Sequence, residues 1–190
     1  MRITYLFLVS GIIVTSLFLS CASAPGQREA IPKRKEIPEW YLNPPQAEDT
    51  FYGVGSARMA KLDTSRKMAI ARAREDIAFQ QKASIKAAIT DYAQEAGVDD
   101  NNQVISFVET VSKQVTEVTL KGTRTEKADV GADGTVYALV SYTMSNFFDV
   151  AEEEFRRNED AAFAEFKAQQ ALEYLEAEIE NNPPKAGNVK

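Results

Sequence analysis

Residues Thr50 to Ala57 read TFYGVGSA, and this short stretch decides how the rest of the chain can fold. Successive side chains along a β-strand point to opposite faces, so Phe51, Gly53 and Gly55 share one face. Two glycines on one face of a strand let another backbone approach closely. The stretch therefore predicts a strand on which a helix packs at short range.

The Gly-Val-Gly sequence also resembles the start of a dinucleotide-binding fingerprint, G-x-G-x-x-G. The third glycine of that fingerprint falls on residue 58, which is Arg58. The fingerprint also requires an acidic residue about 20 residues further on, after a second strand, and the chain there is predicted to be helical. We therefore expect neither a nucleotide site nor any other cofactor.

A long helix is predicted after the strand. One of residues 63–65 (Asp, Thr and Ser) can cap its start, and Gly97 supplies a left-handed cap after a last turn near Ala96. Gln80 and Gln81 interrupt its apolar stripe, and we expect them at the margin of that stripe. The stripe itself follows helical spacing and consists of Ile70, Ala73, Ile77, Ile85, Ala88 and Tyr92.

A second helix and a hairpin are predicted next. Apolar residues recur every three or four positions from Val104 to Val118, which favours a helix despite the valines. Two β-rich segments follow, Thr119–Asp129 and Thr135–Met144, and Asp133-Gly134 between them is a strong turn signal. The fold class predicted is α+β: an antiparallel sheet of order β-α-(α)-β-β in sequence, with a long helix packed on it.

A long acidic helix is predicted to close the chain, over residues 146–182. Ser145 or Asn146 can cap its start, and Pro183 stops it. Residues 183–190 are expected to form a disordered tail.

The composition of the 190 residues excludes several kinds of site. The net charge is −6, which argues against nucleic acid because phosphate binding needs a basic face. There is no histidine, which removes the side chain best suited to proton transfer near pH 7 and the commonest metal ligand. One cysteine allows neither an internal disulfide nor a cysteine-based zinc site. We therefore expect no metal and no catalytic residue.

The first 20 residues have the order of an export signal. Arg2 supplies positive charge, and an apolar run of 17 residues follows from Ile3 to Leu19. As a helix this run is about 25 Å long, slightly short of a hydrocarbon core of roughly 30 Å.

Cys21 admits three interpretations. The run can remain as an uncleaved anchor, or a signal peptidase can cut after Ala22-Ser23-Ala24, where Pro25 obstructs the site. The third interpretation, which we favour, is cleavage between Ser20 and Cys21, because LFLSC, Leu17 to Cys21, resembles the signals of bacterial lipoproteins. That resemblance implies a lipidated Cys21, and two or three acyl chains make such an attachment long-lived. The absence of Asp at position 22 leans toward the outer membrane.

Residues 21–39 are predicted to be a flexible tether, because they lack an apolar period and are rich in small, charged and proline residues. Ordered sequence begins at PEWYLNPP, Pro38 to Pro45, where the prolines favour extended backbone. Trp40 either plugs one end of the core or is an exposed anchor for a partner.

The domain over residues 40–145 resembles the Lpp-twenty lipoprotein family, which includes FlgP-like flagellum-associated lipoproteins and has related modules in FlgT proteins. The resemblance lies in PEWYLNPP, FYGVGSA, MAIARAREDIAFQ, VTLKGTR and DGTVYALVSY, in that order. It implies a β-α-β-β core and a role in the bacterial envelope. The motif positions that it implies are structural: Trp40, Pro44, Tyr52, Gly53, Gly55, Gly122, Gly134 and Tyr137.

Two classes of function remain after these exclusions. No nucleophile with a base and no set of metal ligands is evident, so we expect a protein that is not an enzyme. The first class is a structural or assembly module that associates with itself or with envelope or flagellar proteins, through an edge strand and the acidic helix. The second is a periplasmic binding module or chaperone, with a pocket between helix and sheet for a small apolar ligand or a client protein.

Overall fold

The computed structural model describes residues 37–98 and 101–187. The predicted α+β class is confirmed, with three strands and long helices in the predicted sequence order. The elements are α1 (Glu39–Leu42), β1 (Thr50–Ala57), α2 (Leu62–Glu95), α3 (Asn101–Gly122), β2 (Arg124–Val130), β3 (Val136–Thr143), α4 (Met144–Asn158) and α5 (Ala168–Asn181).

The three strands form an antiparallel sheet in the order β1-β3-β2. The hairpin between β2 and β3 is confirmed: Gly134 takes a positive φ of 83°, and the Asp133 carboxylate accepts the Thr135 N–H at 3.0 Å. The register of β2 shifts between Thr125 and Lys127, so the intervening residue is a β-bulge.

Helix α2 lies directly on β1, and the two glycines make this possible. A Cβ atom built on Gly53 would stand 2.1 Å from the Ala73 carbonyl oxygen. A Cβ atom built on Gly55 would stand 2.3 Å from the Ala69 carbonyl oxygen. The prediction that these glycines allow close packing of a helix is confirmed.

The second half of α2 builds a helical core with α3 and α5, while α4 packs against those two helices. Rings from several segments meet there; the centroids of Phe107 and Phe166, for example, lie 4.5 Å apart. The buried aromatic side chains of this core are Tyr92, Phe107, Phe155, Phe163 and Phe166.

The prediction of one continuous helix over residues 146–182 is wrong. Helix α4 ends at Asn158 and α5 begins at Ala168, with a 3-10 turn at Glu159–Ala161 in between. The link buries Phe163 and Phe166, which a straight solvent-facing helix could not do. The buried Tyr92 hydroxyl fixes the link by donating to the Glu165 carbonyl (2.5 Å) and accepting the Lys167 N–H (3.1 Å).

Two predicted helix ends also differ from the structure. Helix α2 begins at Leu62, before residues 63–65, and the Ser65 hydroxyl instead accepts the Met59 N–H at 2.9 Å. Helix α3 continues to Gly122, so Thr119–Lys121 is helical rather than extended. The reason is burial: Thr119 is fully buried one turn after Val115, which continues the helical apolar face.

Replacing Gly53 by alanine should destabilise the domain by about 2–3 kcal/mol, because the added methyl meets a helix backbone that cannot rotate away. The matched control is Gly134→Ala, which meets no atom within 4 Å and should cost only about 1 kcal/mol of backbone strain. Both changes have the same effect on the unfolded chain. Urea unfolding checks this; equal losses in the two variants would contradict the account.

Candidate functional site

The outer edge of β1 is the start of the candidate site. Strand β3 pairs with β1 on one side only, so the backbone groups of Tyr52, Val54 and Ser56 point away from the sheet. An unpaired edge of this kind is open to pairing with another chain. Here side chains bind three of these backbone groups instead.

Three polar side chains of α2 bind this edge. Arg72 Nη1 donates to the Ser56 carbonyl at 2.6 Å. Asp76 Oδ2 accepts the Val54 N–H at 3.0 Å. Gln80 Nε2 donates to the Tyr52 carbonyl at 2.8 Å. We call Arg72, Asp76 and Gln80 the edge clamp.

The spacing of the edge clamp follows from helix and strand geometry. Its members are four residues apart on α2, which is about 6 Å along a helix. Their partners are two residues apart on β1, which is about 6.6 Å along a strand. Because these distances nearly match and α2 runs antiparallel to β1, each turn of the helix reaches one outward-facing strand residue.

Asp76 is the central residue of the clamp and is only 2% exposed. Its Oδ2 atom accepts two backbone N–H groups, from Val54 and from Gly187 (2.8 Å). Its Oδ1 atom has no hydrogen-bond partner among the described residues. Burial raises the pKa of this carboxyl, while the N–H donors and the Gln80 side chain act in the opposite direction.

A cleft of about 390 Å³ opens beside Asp76 on the outer side of β1. The Tyr41 hydroxyl and the Ser56 hydroxyl lie 3.0 Å apart at its wall. The lining residues are Tyr41, Val54, Gly55, Ser56, Arg72, Glu75, Asp76 and Gly187.

The carboxyl-terminal segment reaches this cleft. The expected disorder of residues 183–190 is wrong for residues 183–187, which the structure places along α2. Pro184 and Lys185 border a second cleft with the half-exposed Phe79, and Gly187 donates its N–H to Asp76. We call residues 183–187 the strap.

This site is built to hold polypeptide backbone. A buried carboxylate that accepts amide N–H groups forms charge-assisted hydrogen bonds, which are stronger than neutral ones. One of its two donors comes from a strand and the other from the distant end of the chain. Within residues 37–98 and 101–187, no three His, Cys, Asp or Glu side chains are arranged to hold a metal ion.

Some of the predicted site residues lie outside the part of the chain that the structure describes, and the others lie within it. Ser20, Cys21 and most of the tether lie outside the described residues. Gly53 and Gly55 lie under α2, and Gly122 faces the Tyr142 ring, 2.9 Å from a built Cβ.

The segment PEWYLNPP differs from its prediction. Residues 39–42 form the single-turn helix α1 rather than extended backbone, and Trp40 is half-buried outside the core, so it is not a core plug. Trp40 Nε1 donates to Asp129 on β2 at 2.9 Å. The Tyr41 ring meets the Tyr137 ring edge-on at 4.9 Å.

The motif residues Tyr52 and Tyr137 lie half-buried on the outer face of the sheet. Pro44 is half-buried in the connection to β1. Of these three residues, Tyr52 takes part in the edge clamp, through its backbone carbonyl.

Sequence reasoning missed the edge clamp. Gln80 and Gln81, expected at the margin of the apolar stripe, are both buried. Three polar residues spaced four apart, at 72, 76 and 80, are the signal that could have indicated a second contact stripe on α2.

Comparison of the chain with protein-family models, with curated proteins and with solved structures finds no match to any of them. Among the helices of residues 37–98 and 101–187, none has the length and apolarity needed to span a bilayer.

Asp76→Asn should become more stable, relative to the parent protein, as pH rises. The raised pKa means that the folded state holds its proton more tightly than the unfolded state, so folding stability falls with rising pH above about 3.8. The amide removes this cost, and its oxygen can still accept the Val54 N–H. Urea midpoints measured between pH 4 and pH 7 test the trend.

Asp133→Asn is the matched control, because its stability relative to the parent should change with pH in the opposite direction. The Thr135 backbone N–H lowers the pKa of Asp133, so its contribution is present at neutral pH and is lost as pH falls through the lowered pKa. This variant should lose stability relative to the parent as pH rises from the lowered pKa to about 3.8 and should then stay level, so the urea series for this control extends below pH 4. If the stabilities of the two variants changed with pH in the same direction, burial of Asp76 would not be the cause of the trend in Asp76→Asn.

Proposed function

We propose that this protein is a lipid-anchored module of the bacterial envelope, which acts by binding other protein chains rather than by catalysis. The observation that carries the proposal is LFLSC at residues 17–21, where the only cysteine of the chain follows an apolar run and a small residue. Acylation converts that thiol into a thioether and leaves the domain attached to a bilayer.

The chain length between anchor and domain suits this role. Cys21 and Ile37, the first described residue, are sixteen positions apart in the chain, which gives a maximum reach of roughly 55 Å. A domain with this reach can contact partners away from the bilayer surface. Ala22 after the cysteine favours the outer membrane, and the resemblance to FlgP-like lipoproteins favours a structural role, with a flagellar link as one case.

The structure favours clefts over sheet edges as the binding surface. The edge clamp occupies the outer edge of β1. All seven residues of β2 are exposed, but four are charged and the strand contains a bulge. Charge and bulges on an edge strand oppose pairing with other strands. Association through an edge strand, which was expected from the sequence, is therefore less favoured than association through the clefts.

The packing of α2 argues against the alternative function, a binding module with a pocket between helix and sheet for a small apolar ligand. No pocket can lie between α2 and the face of β1 at Gly53 and Gly55, because the helix backbone touches the strand there. The cleft that Gly55 borders opens beside the edge of the strand instead. Three open clefts lie along the strap, and residues of α2 line two of them. Such surfaces suit a polypeptide, which can follow an extended groove.

Intact mass of the protein extracted from membranes tests the anchor. We expect a mass that lacks residues 1–20 and carries added acyl chains, because cleavage between Ser20 and Cys21 accompanies lipidation. Cys21→Ala should lose both changes, while Ser23→Ala, two residues on, should keep them.

An unmodified full-length mass would overturn the lipid anchor and leave residues 3–19 as a membrane helix. A cut after Ala24 without added lipid would overturn it in favour of a soluble exported protein.

A further inference from the structure

The strap borders three neighbouring clefts. Gly187 lines the Asp76 cleft, Pro184 and Lys185 line the cleft beside Phe79, and Pro183 lines a third cleft of about 480 Å³. The third cleft has Met144, Phe148 and Ile179 among its apolar lining residues. The strap therefore lies along one continuous track, from the end of α5 to the edge of β1.

The strap is held lightly at its far end. Among the described residues, the backbone hydrogen bond that holds residues 183–187 is the one from the Gly187 N–H to Asp76. Pro183, Pro184 and Lys185 border open clefts, and Gly187 lies beside the Val54 side chain. Two consecutive prolines favour an extended, stiff connection, which projects the following residues away from α5.

The Asp76 carboxylate, which accepts the hydrogen bond from the strap, is held more firmly than the strap itself. Asp76 is fixed by its bond to Val54 within the edge clamp, whether or not Gly187 is present. Its Oδ1 atom remains buried without a partner. The site thus keeps an acceptor for an N–H group from any extended segment that can reach it.

We propose that the Asp76 cleft is a docking site for the strap of a second copy of this chain, so that two copies can exchange their carboxyl-terminal segments. A second copy carries by necessity the one segment that the structure already shows in this cleft. Exchange of an identical element is a low-cost route to association, because each contact exists in the single chain. This inference rests on the proposed role in binding other chains, and it gives that role a partner and a surface.

Tethering to a membrane strengthens the case. Copies attached to one bilayer meet at an effective concentration far above their average concentration, which favours exchange more than it is favoured between copies free in solution.

A labelled peptide of residues 183–190, PPKAGNVK, tests the site on the full chain in mild detergent. Gly187→Pro in the chain removes the N–H that its own strap donates, so the cleft is vacated without truncation. Loss of one charged hydrogen bond corresponds to roughly a 10- to 100-fold change in an equilibrium. We therefore expect this variant to bind the peptide at least about tenfold more tightly than the parent chain does.

The same peptide carrying Gly187→Pro is the matched control and should not bind. Fluorescence anisotropy gives both affinities. Equal affinity of the two peptides, or equal affinity of the parent and variant chains for the first peptide, would overturn the docking site.

A mixture of two variants tests the second copy as the occupant. The Gly187→Pro chain has an intact cleft and no donor strap, whereas the Asp76→Asn chain has an intact strap and a neutral, weaker acceptor. Sedimentation of the mixture should show a 1:1 pair that neither variant forms alone. If the peptide binds but the mixture behaves as the sum of its parts, the strap docks only on its own chain and the exchange is refuted.

Repeating both measurements in a Cys21→Ala background separates this inference from the anchor. Docking and pairing should survive that change, because neither involves the lipid. Their loss would assign the association to the membrane attachment rather than to the Asp76 cleft.

Discussion

The close approach of α2 to β1 is the constraint on which the rest of the structure depends. Gly53 and Gly55 remove the side chains that would hold helix and strand apart. Once the backbones touch, side chains on the adjacent stripe of α2 reach past the strand and bind its open edge. One strand thus receives van der Waals contact on its face and hydrogen bonds on its edge from the same helix.

The relative lengths of α2 and β1 explain the second half of the fold. A helix of 34 residues is about 51 Å long, whereas a strand of eight residues is about 26 Å long. About half of α2 therefore extends beyond the sheet and must find other cover for its apolar side chains. Helices α3 and α5 provide it, and the link between α4 and α5 adds Phe163 and Phe166.

The sequence was sufficient for the features that depend on local pattern. The glycine face of β1, the 3.6-residue stripe of α2 and the Asp-Gly turn each have one simple physical interpretation, and each is found in the structure. The features that could not be predicted from the sequence depend on contacts between residues far apart in the chain. The break near Asn158 is made by burial of two rings against Tyr92, far away in sequence. The role of Asp76 is equally non-local, since its two donors lie 22 residues before it and 111 residues after it.

In this domain the outer edge of β1 is bound by side chains of α2, and residues 183–187 lie along the neighbouring clefts. For a chain proposed to be held at a membrane by Cys21, that arrangement favours contact with other chains at the clefts along the strap over pairing at the β1 edge. The edge clamp is therefore both a structural device and the boundary of the proposed binding surface.

Amide hydrogen exchange at the β1 edge tests whether side chains of α2 bind that edge in solution. The N–H groups of Tyr52, Val54 and Ser56 lie on the same unpaired edge, but only the Val54 N–H meets an edge-clamp side chain. If α2 clamps the strand, the Val54 N–H exchanges much more slowly than the N–H groups of Tyr52 and Ser56. Exchange of Val54 as fast as that of its two neighbours would mean that α2 does not clamp the strand in solution.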